Sequence, residues 1–530
     1  MHESLYISMC YRAFLIKNHK CWYGFQKMKI LIINAGSSSL KYQLIEIQES
    51  ESGLTKTSPN NMSQSHRVMA AGVVERIGDT EGSLIHKKFV VEKKPSDSIG
   101  DSIGQANITD IDIYNSENRN QDELSAKDFH DHIKKDQKSI NCQNNTFEKF
   151  TIKKTIKDHR AAMHLAASML SAHDSGVICS TDEIDAIGHR VVQGGEQLNA
   201  SIRIDDGVKK AIKENNPLAP LHNPPNLTGI EVAEELFPGI PNVAVFDTEF
   251  HKTIPPQAYM YALPYDFYLK YRVRRYGFHG TSHKYVTATA ENLIKNNRGR
   301  GEKCNKTTSH ESKANNSDLC SSEKRELNLI TVHLGNGCSI CAVKQGRCVD
   351  TSMGMTPLAG VMMGTRTGDM DPAIQRYLIE NTNFTPEALD SIFNKESGLK
   401  GICGMNDMRD IHAAIGKGDK LAELALEMFT YQIKKYIGAY TAVLGSVDGI
   451  VFTAGIGEND AAARAKICSN LSGLGIEIDA DKNKELSSEP RAIHSVNSKV
   501  DVWVIPTNEE LQIAKEVLHV MESEQHENVI

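Results

Sequence analysis

MKILIINAGSSSLK, residues 28–41, carries the clearest structural pattern of this chain. Its apolar run at 30–33 is typical of a buried first strand. Gly36 and the serines at 37–39 then form a tight turn whose N–H and O–H donors suit a phosphate group, and Lys41 adds a cation. Asn34 can ligate a metal directly or through water. No Walker ending follows, so a phosphate loop and a hydroxyl-rich hairpin turn both stay open.

Two later glycine turns follow apolar strands in the same way. HLGNG at 333–337 repeats the pattern of the first turn, and TAGIGEN at 453–459 precedes a helical stretch at 460–471. Glycines at a helix N-terminus allow a nucleotide and its anionic groups to approach the backbone closely. Three such turns together predict a nucleotide site in which turns from the two halves of the chain bind one polyphosphate from opposite sides.

The arrangement of predicted strands and helices occurs twice along the chain. A strand series followed by strand–helix units in each half predicts a duplicated α/β architecture with a cleft between the halves. The predicted strands are 30–34, 43–47, 71–77, 185–191, 329–334, 339–344, 347–350 and 449–453, and the longer predicted helices are 371–380 and 420–443.

Composition limits the class of protein. The 530 residues include 60 Lys and Arg against 67 Asp and Glu, and this mild acidity argues against a nucleic-acid surface. No stretch approaches the roughly 20 apolar residues of a membrane span. The 11 cysteines are too scattered for a disulfide scaffold. We therefore expect a cytoplasmic protein with reduced thiols and without nucleic-acid or membrane partners.

Cys338 and Cys341 are the one closely spaced cysteine pair that resembles half of a zinc site. No second Cys/His pair at ligand spacing accompanies them along the sequence. They lie in an alternating strand pattern at 339–343, which favours buried strand thiols over a metal site.

Polar segments interrupt the predicted domains. Residues 1–27 lack the features of a signal peptide and are interpreted as a disordered N-terminal extension or, alternatively, as the result of an upstream start codon. Polar stretches at about 50–66, 93–155 and 297–325 are predicted surface inserts or disorder, because they bury too little apolar surface. The predicted domains are a first α/β domain at 28–250, completed by a C-terminal helix at 510–525, and a second, nucleotide-binding α/β domain at 251–509.

Charged and imidazole groups cluster in glycine- and proline-rich segments. Arginine in a glycine-flanked turn suits bidentate binding of carboxylate or phosphoryl oxygens, although each group taken singly can equally be a satisfied buried group or a surface charge. Asp247 follows a short strand, where a carboxylate can orient a metal or substrate or can cap a helix or turn. Glu509 lies where a strand leads into a helix, so its carboxylate can face a metal or can interact with the helix dipole. The candidates in glycine- and proline-rich segments are Arg190, His222, His279, His283 and Arg366.

These segments together resemble the acetate kinase family of acetate and propionate kinases, from about Met28 to Val520. The resemblance implies the acetate and sugar kinase/Hsp70/actin-like fold, in which two duplicated α/β domains close on ATP. The motifs are NAGSSSLK at 34–41, GHRVVQGGE at 188–196, PLHNPPN at 220–226, VFDTEFH at 245–251, YGFHGTSH at 276–283, HLGNG at 333–337, DTSMGMTPLAGVMMGTRTGDMDP at 350–372, FTAGIGEND at 452–460 and IPTNEE at 505–510.

The resemblance also implies residue roles. Asn34 and Glu509 match magnesium-associated positions (Mn²⁺ being an alternative ion), and Lys41 matches a contact to the nucleotide phosphates. The implied catalytic residues are Arg190, Asp247, His279 and Arg366. Arg190 binds the substrate, Asp247 is the catalytic acid, and His279 and Arg366 stabilise the transition state. The implied substrate pocket comprises Val192, Leu221, His222, Phe278 and Pro357. The implied nucleotide segments are His333, Leu334, Gly335, Asn336 and Gly337; Asp407, Met408 and Arg409; and Gly455, Ile456, Gly457, Glu458 and Asn459.

The implied function is reversible phosphoryl transfer from ATP to acetate with Mg²⁺, giving acetyl phosphate and ADP. Val192 favours acetate over a longer acid, and a homodimer is the family expectation. A propionate or other short-chain acyl kinase and a catalytically silent nucleotide-binding module are the alternatives. The chain departs from the family pattern at Gln193, where His is usual, and in the stretch 401–409, which is one residue short.

Overall fold

The first predicted strand and turn form a β-hairpin. Met28–Ala35 (β1) pairs antiparallel with Ser39–Gln48 (β2), and Asn34 lies opposite Lys41 in this register. The computed structural model describes residues 27–48, 65–90, 134–135, 139–140, 146–304 and 326–527. Most of the predicted extension at 1–27 and most of the three polar segments lie outside the described residues.

The first sheet has the order β5–β7–β4–β3–β2–β1–β8–β10–β9, with β6 paired to β7. Strands β8 and β10 run parallel to β1, whereas β2 and β3 are antiparallel. The remaining strands of this sheet are β3 (Ser65–Glu75), β4 (Gly82–Val90), β5 (Lys134–Lys135), β6 (Ser139–Ile140), β7 (Thr146–Lys154), β8 (Ala186–Val191), β9 (Ile202–Arg203) and β10 (Asn242–Phe246).

The second sheet repeats the central part of the first, in the order β13–β12–β11–β14–β16–β15. Three antiparallel strands are again followed by two parallel ones. The predicted duplicated α/β architecture is therefore confirmed. The strands are β11 (Asn328–Leu334), β12 (Cys338–Lys344), β13 (Arg347–Thr351), β14 (Gly449–Thr453), β15 (Arg491–Ala492) and β16 (Asp501–Val504).

Helices cover both faces of each sheet, as expected for strands that are apolar on both sides. The α-helices are α1 (His159–Ser171), α2 (Asp206–Glu214), α3 (Asn223–Leu236), α4 (Pro256–Tyr259), α5 (Tyr265–Tyr271), α6 (Gly280–Cys304), α7 (Ala373–Asn381), α8 (Pro386–Lys395), α9 (Gly398–Cys403), α10 (Met408–Gly416), α11 (Lys420–Leu444), α12 (Ala454–Asn459), α13 (Ala461–Cys468), α14 (Ala480–Lys484) and α15 (Glu509–Glu527).

The C-terminal helix α15 packs against the first sheet. Its buried Ile513 and Val517 form one core cluster with Ile30, Ile32 and Val245 of that sheet. Gly188 on β8 is needed at this contact, because a Cβ there would lie 2.7 Å from Val517. This packing holds Glu509, the first residue of the helix, beside the ends of the central strands. The domain boundaries given above stay a prediction.

The predictions of all three polar inserts are wrong in part. Residues 146–154 of the segment 93–155 form β7, because Phe147, Phe150 and Ile152 are buried within an otherwise polar stretch. Residues 297–304 of the third segment continue helix α6. Residues 65–66 already belong to β3. Among the described helices none has the length and apolarity to span a bilayer.

Candidate active site

A cavity of about 260 Å³ opens where the two halves of the chain meet. Its walls contain residues from both glycine hairpins and from the segments that carry the predicted charged groups. The predicted site residues in its lining are Asn34, Lys41, Arg190, Val192, His222, Asp247, Phe278, His279, Gly337, Pro357 and Arg366.

The first hairpin turn contributes backbone and short polar side chains to the cavity. Gly36 N–H donates to the Ser39 carbonyl at 2.8 Å, which closes the turn directly after β1. Asn34 and Lys41 lie opposite each other at the base of this hairpin, and both line the cavity. The turn therefore has the geometry of a hairpin and also faces the candidate site.

Arg190 and Asp247 form a bidentate ion pair at the carboxyl ends of the parallel strands β8 and β10. Nε and Nη2 of Arg190 donate to the two carboxylate oxygens of Asp247 at 2.9 and 2.7 Å. They lie on adjacent parallel strand ends, since β8 and β10 pair in register here. Burial alone would lower the pKa of Arg190, but Asp247 and Glu509 raise it above its ordinary value. Arg190 is thus a permanent cation with further N–H groups free of Asp247.

Glu509 is the second carboxylate beside Arg190. Its Oε2 lies 4.0 Å from Arg190 Nε, and Thr281 Oγ1 lies 3.5 Å from the same oxygen. Burial raises the pKa of Glu509; Arg190 opposes this rise and Asp247 adds to it. The carboxylates of Asp247, Glu509 and Glu510 outnumber the two cations that act on Glu509, Arg190 and Lys41, so a further cation would be stabilised here.

Arg366 is the cation of the opposite wall. Nη1 donates to the Pro357 carbonyl at 3.2 Å, and no carboxylate among the described residues forms an ion pair with this guanidinium. Burial lowers its pKa from the ordinary value. An arginine that lines a cavity without an acidic partner is available to an anionic ligand.

His279 lies between the two arginines in a strained backbone conformation, with φ +58°. Its ring stacks on His333 at a centroid distance of 4.1 Å. Burial, and then the neighbouring His333 and Arg190, hold the pKa of His279 well below its usual value. Burial also lowers the pKa of His333 to about 4. Both imidazoles are therefore neutral hydrogen-bonding groups at neutral pH.

A chain of polar side chains behind His279 fixes its orientation. Ser339 Oγ lies 2.8 Å from Nδ1 of His279 and 2.7 Å from Nε2 of His283. Nδ1 of His283 lies 2.7 Å from Thr331 Oγ1. Since the serine hydroxyl has one hydrogen, it donates to one imidazole and accepts from the other. The protonated nitrogen of His279 is thus determined by the direction of this chain.

The apolar part of the cavity is small. Val192, Phe278 and Pro357 line it, and the first two are buried. The predicted Leu221 does not line the cavity; its side chain is 51% exposed. His222 does, and burial together with Arg366 and Arg190 lowers its pKa. The pocket therefore combines a short apolar wall with cations on either side.

Comparison with known proteins shows the family of this chain. The sequence model of the acetokinase family matches residues 100–302 and 304–515. The chain belongs to the acetokinase family. An acetate kinase from Oleidesulfovibrio alaskensis is 46% identical over 495 residues, which are 93% of this chain and 100% of that protein. An acetate kinase from Thermotoga maritima is 41% identical over 498 residues, or 93% of this chain and 99% of that protein.

Solved structures of acetokinase-type enzymes have the same fold. Acetate kinase from Porphyromonas gingivalis superposes with a TM-score of 0.70 at 36% identity, over 93% of this chain and 100% of that chain. A propionate kinase from Francisella tularensis gives 0.69 at 33% identity with the same coverage. The predicted fold class is therefore confirmed.

The second hairpin of this acetokinase-family chain turns at residues 335–337. Gly335 N–H donates to the Gly337 carbonyl at 3.0 Å, and Gly364 N–H donates to the Asn336 carbonyl at 3.1 Å. His333 and Leu334 are the buried end of β11. This turn corresponds to the first hairpin turn in the duplicated fold, and Gly337 lines the same cavity as Gly36.

The third glycine segment is not a turn before a helix. Residues 454–459 form the short helix α12 directly after β14, and Ala454 has φ +64°. A Cβ on Gly335 would lie 3.8 Å from Ala454, so the second and third segments are neighbours. The carboxylate of Glu458 accepts from the Thr507 N–H at 3.1 Å. Its segment Gly455, Ile456, Gly457, Glu458 and Asn459 adjoins the cavity without lining it.

The segment 407–409 also lies outside the cavity lining. Asp407 caps helix α10 by accepting from the Arg409 N–H at 2.9 Å, and the two side chains form an exposed ion pair. Met408 is buried in the core of the second half. The two exposed side chains are thus paired with each other, and a nucleotide role for this segment stays a prediction.

Gln193 occupies a buried position beside Val192. Its Oε1 accepts from the Gly195 N–H at 2.9 Å, and its Nε2 has no hydrogen-bond partner among the described residues. Burial of an unpaired amide N–H destabilises the fold locally. Gln193 therefore retains only one of the hydrogen bonds open to its side chain.

Sequence reasoning missed two groups of residues that organise the site. Asn226 donates to the Ala35 carbonyl at 2.6 Å and accepts from Val192 N–H at 3.1 Å, so it joins the first hairpin to the apolar wall. Ser339 and Thr331 hold the imidazole chain. Asn226 lay within the quoted motif PLHNPPN, but only the packing of α3 against β1 reveals its contacts.

Proposed function

We propose that this chain is an acetate kinase, which transfers the γ-phosphoryl group of ATP to acetate and catalyses the reverse reaction. The observation that carries the proposal is the cavity lined by Arg190 and Arg366, where these two arginines, Lys41, a neutral imidazole and a short apolar wall converge. A carboxylate nucleophile is ionised at neutral pH, so the reaction needs positioning and charge stabilisation rather than a general base.

Arg190 is the proposed acetate-binding group. Both oxygens of Asp247 accept from its guanidinium, so Asp247 fixes the orientation of the arginine. The remaining N–H groups of Arg190 can then bind the acetate carboxylate, with the methyl group against Val192, Phe278 and Pro357. Asp247 acts in this proposal as a positioning group and not as a proton acceptor.

Arg366 and His279 are the proposed phosphoryl-binding groups. Arg366 has no acidic partner among the described residues, and its charge stabilises the equatorial oxygens in the transition state. In one direction of the hydrogen-bond chain, the Thr331 hydroxyl donates to Nδ1 of His283 and Nε2–H of His283 donates to Ser339 Oγ. The Ser339 hydroxyl then donates to Nδ1 of His279, so the proton of His279 is on Nε2. We propose this direction because a neutral imidazole with its proton on Nε2 adds a donor to the cavity without titrating near neutral pH.

The donor set at Arg190 fits a hard divalent cation. Glu509 and Asn34 provide oxygen ligands, and the excess of carboxylates over cations beside Glu509 is a site of negative potential. We propose that Asn34 and Glu509 hold Mg²⁺, with Mn²⁺ as the alternative ion. When bound, the ion neutralises charge on the β- and γ-phosphates of ATP.

The nucleotide is proposed to lie along the second half. In this proposal Lys41 and the two hairpin turns, which line the cavity, contact the phosphates. The neighbouring segments 333–337 and 455–459 contact the rest of the nucleotide. Residues 407–409 complete the proposed set. ATP and ADP are the expected nucleotides.

The acyl preference is proposed from the size of the apolar wall. One methylene changes binding by roughly 1–3 kcal/mol, so acetate and propionate turnover should overlap. A propionate kinase is among the similar structures. The test compares kcat/KM for acetate, propionate and butyrate; turnover of propionate well ahead of acetate would contradict the interpretation of Val192.

We also propose a homodimer in the cytoplasm. Large apolar side chains are exposed on α5 and its approach, including Leu263, Tyr265, Phe267, Leu269 and Tyr271. A contiguous exposed apolar patch is typical of a protein interface. Leu269→Glu should reduce the molar mass measured by light scattering to that of a monomer, whereas Leu486→Glu, at an exposed position elsewhere, should not.

The activity test traps acetyl phosphate as its hydroxamate, with and without Mg²⁺. Formation of the hydroxamate with acetate, ATP and Mg²⁺ supports the proposed reaction. ATP binding without hydroxamate would favour the catalytically silent module instead. The absence of a Mg²⁺ requirement would contradict the roles of Asn34 and Glu509.

A further inference from the structure

A second cluster of reactive side chains lies behind the candidate active site. His251 Nδ1 lies 3.1 Å from Cys348 Sγ, and Cys341 Sγ lies 3.2 Å from the same sulfur. The three ligand atoms are all within 4.8 Å of one another, and the three residues are buried. Along the sequence Cys341 pairs only with Cys338; the hairpin of β12 and β13 and the segment after β10 bring the other two ligands to it.

We propose that His251, Cys341 and Cys348 bind one structural Zn²⁺ ion. Two thiolates and one neutral imidazole are ligands that Zn²⁺ prefers, and two thiolates with Zn²⁺ form a set without net charge, which suits a buried position. Zn–S distances of about 2.3 Å require sulfur atoms roughly 3.8 Å apart in a tetrahedral site, so the thiols need to separate by about half an ångström.

The second ring nitrogen of His251 is oriented as in known metal sites. Nε2 lies 2.9 Å from the Phe278 carbonyl, to which it donates, so Nδ1 carries the lone pair that faces the sulfurs. Thr253 Oγ1 donates to the Cys348 carbonyl at 2.7 Å and fixes the β13 side of the cluster. These contacts hold the ligands in place independently of the ion.

A route to the cluster and a fourth ligand are both present. His251 lines a separate cavity of about 150 Å³, through which an ion can approach. The Asp350 carbonyl lies 3.5 Å from Cys348 Sγ and offers an oxygen beside the cluster. The ion would brace Phe278, whose carbonyl accepts from His251 and whose ring lines the active-site cavity.

The test uses the full chain, reduced and freed of metal. Addition of Co²⁺ as a spectroscopic probe should give thiolate-to-cobalt charge-transfer absorption that saturates at one equivalent. Zn²⁺ should displace the Co²⁺ and remove this absorption. Co²⁺ at the oxygen ligands Asn34 and Glu509 gives no such absorption, so the result is independent of the proposed catalytic site. Zn²⁺ should also raise the Tm.

Cys341→Ser and Cys348→Ser should each abolish the charge-transfer band, whereas Cys468→Ser, at a buried thiol of α13, should retain it. Circular dichroism checks that each variant folds. Reduced wild-type protein without the band would overturn the proposal and leave a metal-free chain of hydrogen bonds. A Cys341–Cys348 disulfide in the protein as isolated without reductant, found by mass spectrometry, would overturn it as well.

Discussion

The two hairpin turns occupy equivalent positions in the duplicated fold but have different chemical surroundings. The turn at 36–38 lies beside full charges, those of Lys41, Arg190, Asp247 and Glu509. The turn at 335–337 lies beside neutral imidazoles and Arg366, an arginine without a carboxylate partner in the described part of the chain. The duplication thus supplies the same backbone geometry twice, and the side chains around it place charged groups beside one turn and neutral imidazoles with one arginine beside the other.

Substitutions of the two arginines, Arg366 and Arg190, should show the largest difference between the two sides of the site. Arg366→Ala should lower kcat/KM by about 10³ or more, because the transferring phosphoryl group loses its unpaired cation. The Tm should change little, since no carboxylate among the described residues depends on this side chain. Hydroxamate-coupled kinetics and thermal unfolding measure the two quantities. Full activity in this variant would contradict the proposed role.

Arg190→Ala should cause a similar loss of activity together with a loss of stability. The variant leaves the buried Asp247 and the half-buried Glu509 without their cation, which costs on the order of 3 kcal/mol. Denaturant unfolding measures this difference. Arg160→Ala, which removes an exposed ion pair with Glu235, is the control and should leave activity and stability unchanged. Equal stability of the Arg190 and Arg366 variants would contradict the comparison.

His279 should show the next largest effect. His279→Ala should lower kcat by about 10²–10³, the typical cost of one lost transition-state donor. Ser339→Ala should cost less, because His279 keeps its place beside His333 but loses the partner that fixes its protonated nitrogen. Steady-state kinetics should show both losses in kcat more than in KM. A loss confined to KM would assign His279 to ground-state binding.

The stability of the fold should also depend on pH through His333, one of the imidazoles beside the second hairpin turn. The pKa of His333 is about 4 in the folded chain because the ring is buried, below the usual value near 6.5 of an unfolded histidine. The unfolded state therefore binds more protons between these values, and stability is lost as the pH falls through that window. Between pH 7 and 4.5 this group should cost about 2 kcal/mol of unfolding free energy.

Denaturant unfolding of His333→Gln across this pH range measures the contribution. The variant should lose less stability on acidification than the wild type. His173→Gln, at a side chain that is 92% exposed, is the matched control for replacing a histidine by glutamine. An identical pH dependence in all three proteins would show that His333 does not titrate as the structure implies.

The sequence predicted the duplicated sheets well because each half repeats a strand, an asparagine-and-glycine turn and a hydroxyl residue. It missed β7 because Phe147, Phe150 and Ile152 are diluted by polar neighbours in a segment judged by average composition. It also placed Leu221 in the pocket from its motif, although the side chain is exposed. The links of Ser339 and Asn226 to distant residues depend on tertiary packing, which no local pattern reveals.

The smallest expected effect on kcat comes from alanine substitutions of one glycine in each hairpin turn. A Cβ on Gly337 would lie 3.2 Å from His279 Nε2 and 3.5 Å from Arg366 Nη1, whereas a Cβ on Gly36 would meet Ser39 Oγ at 3.0 Å. Gly337→Ala should therefore displace the imidazole of His279, a proposed phosphoryl-binding group, by a few tenths of an ångström and lower kcat about tenfold, whereas Arg366 stays at an ordinary contact distance. Gly36→Ala should cost less, because a serine hydroxyl can rotate away. If Gly36→Ala were the more damaging substitution in hydroxamate-coupled kinetics, phosphoryl positioning would belong to the first turn.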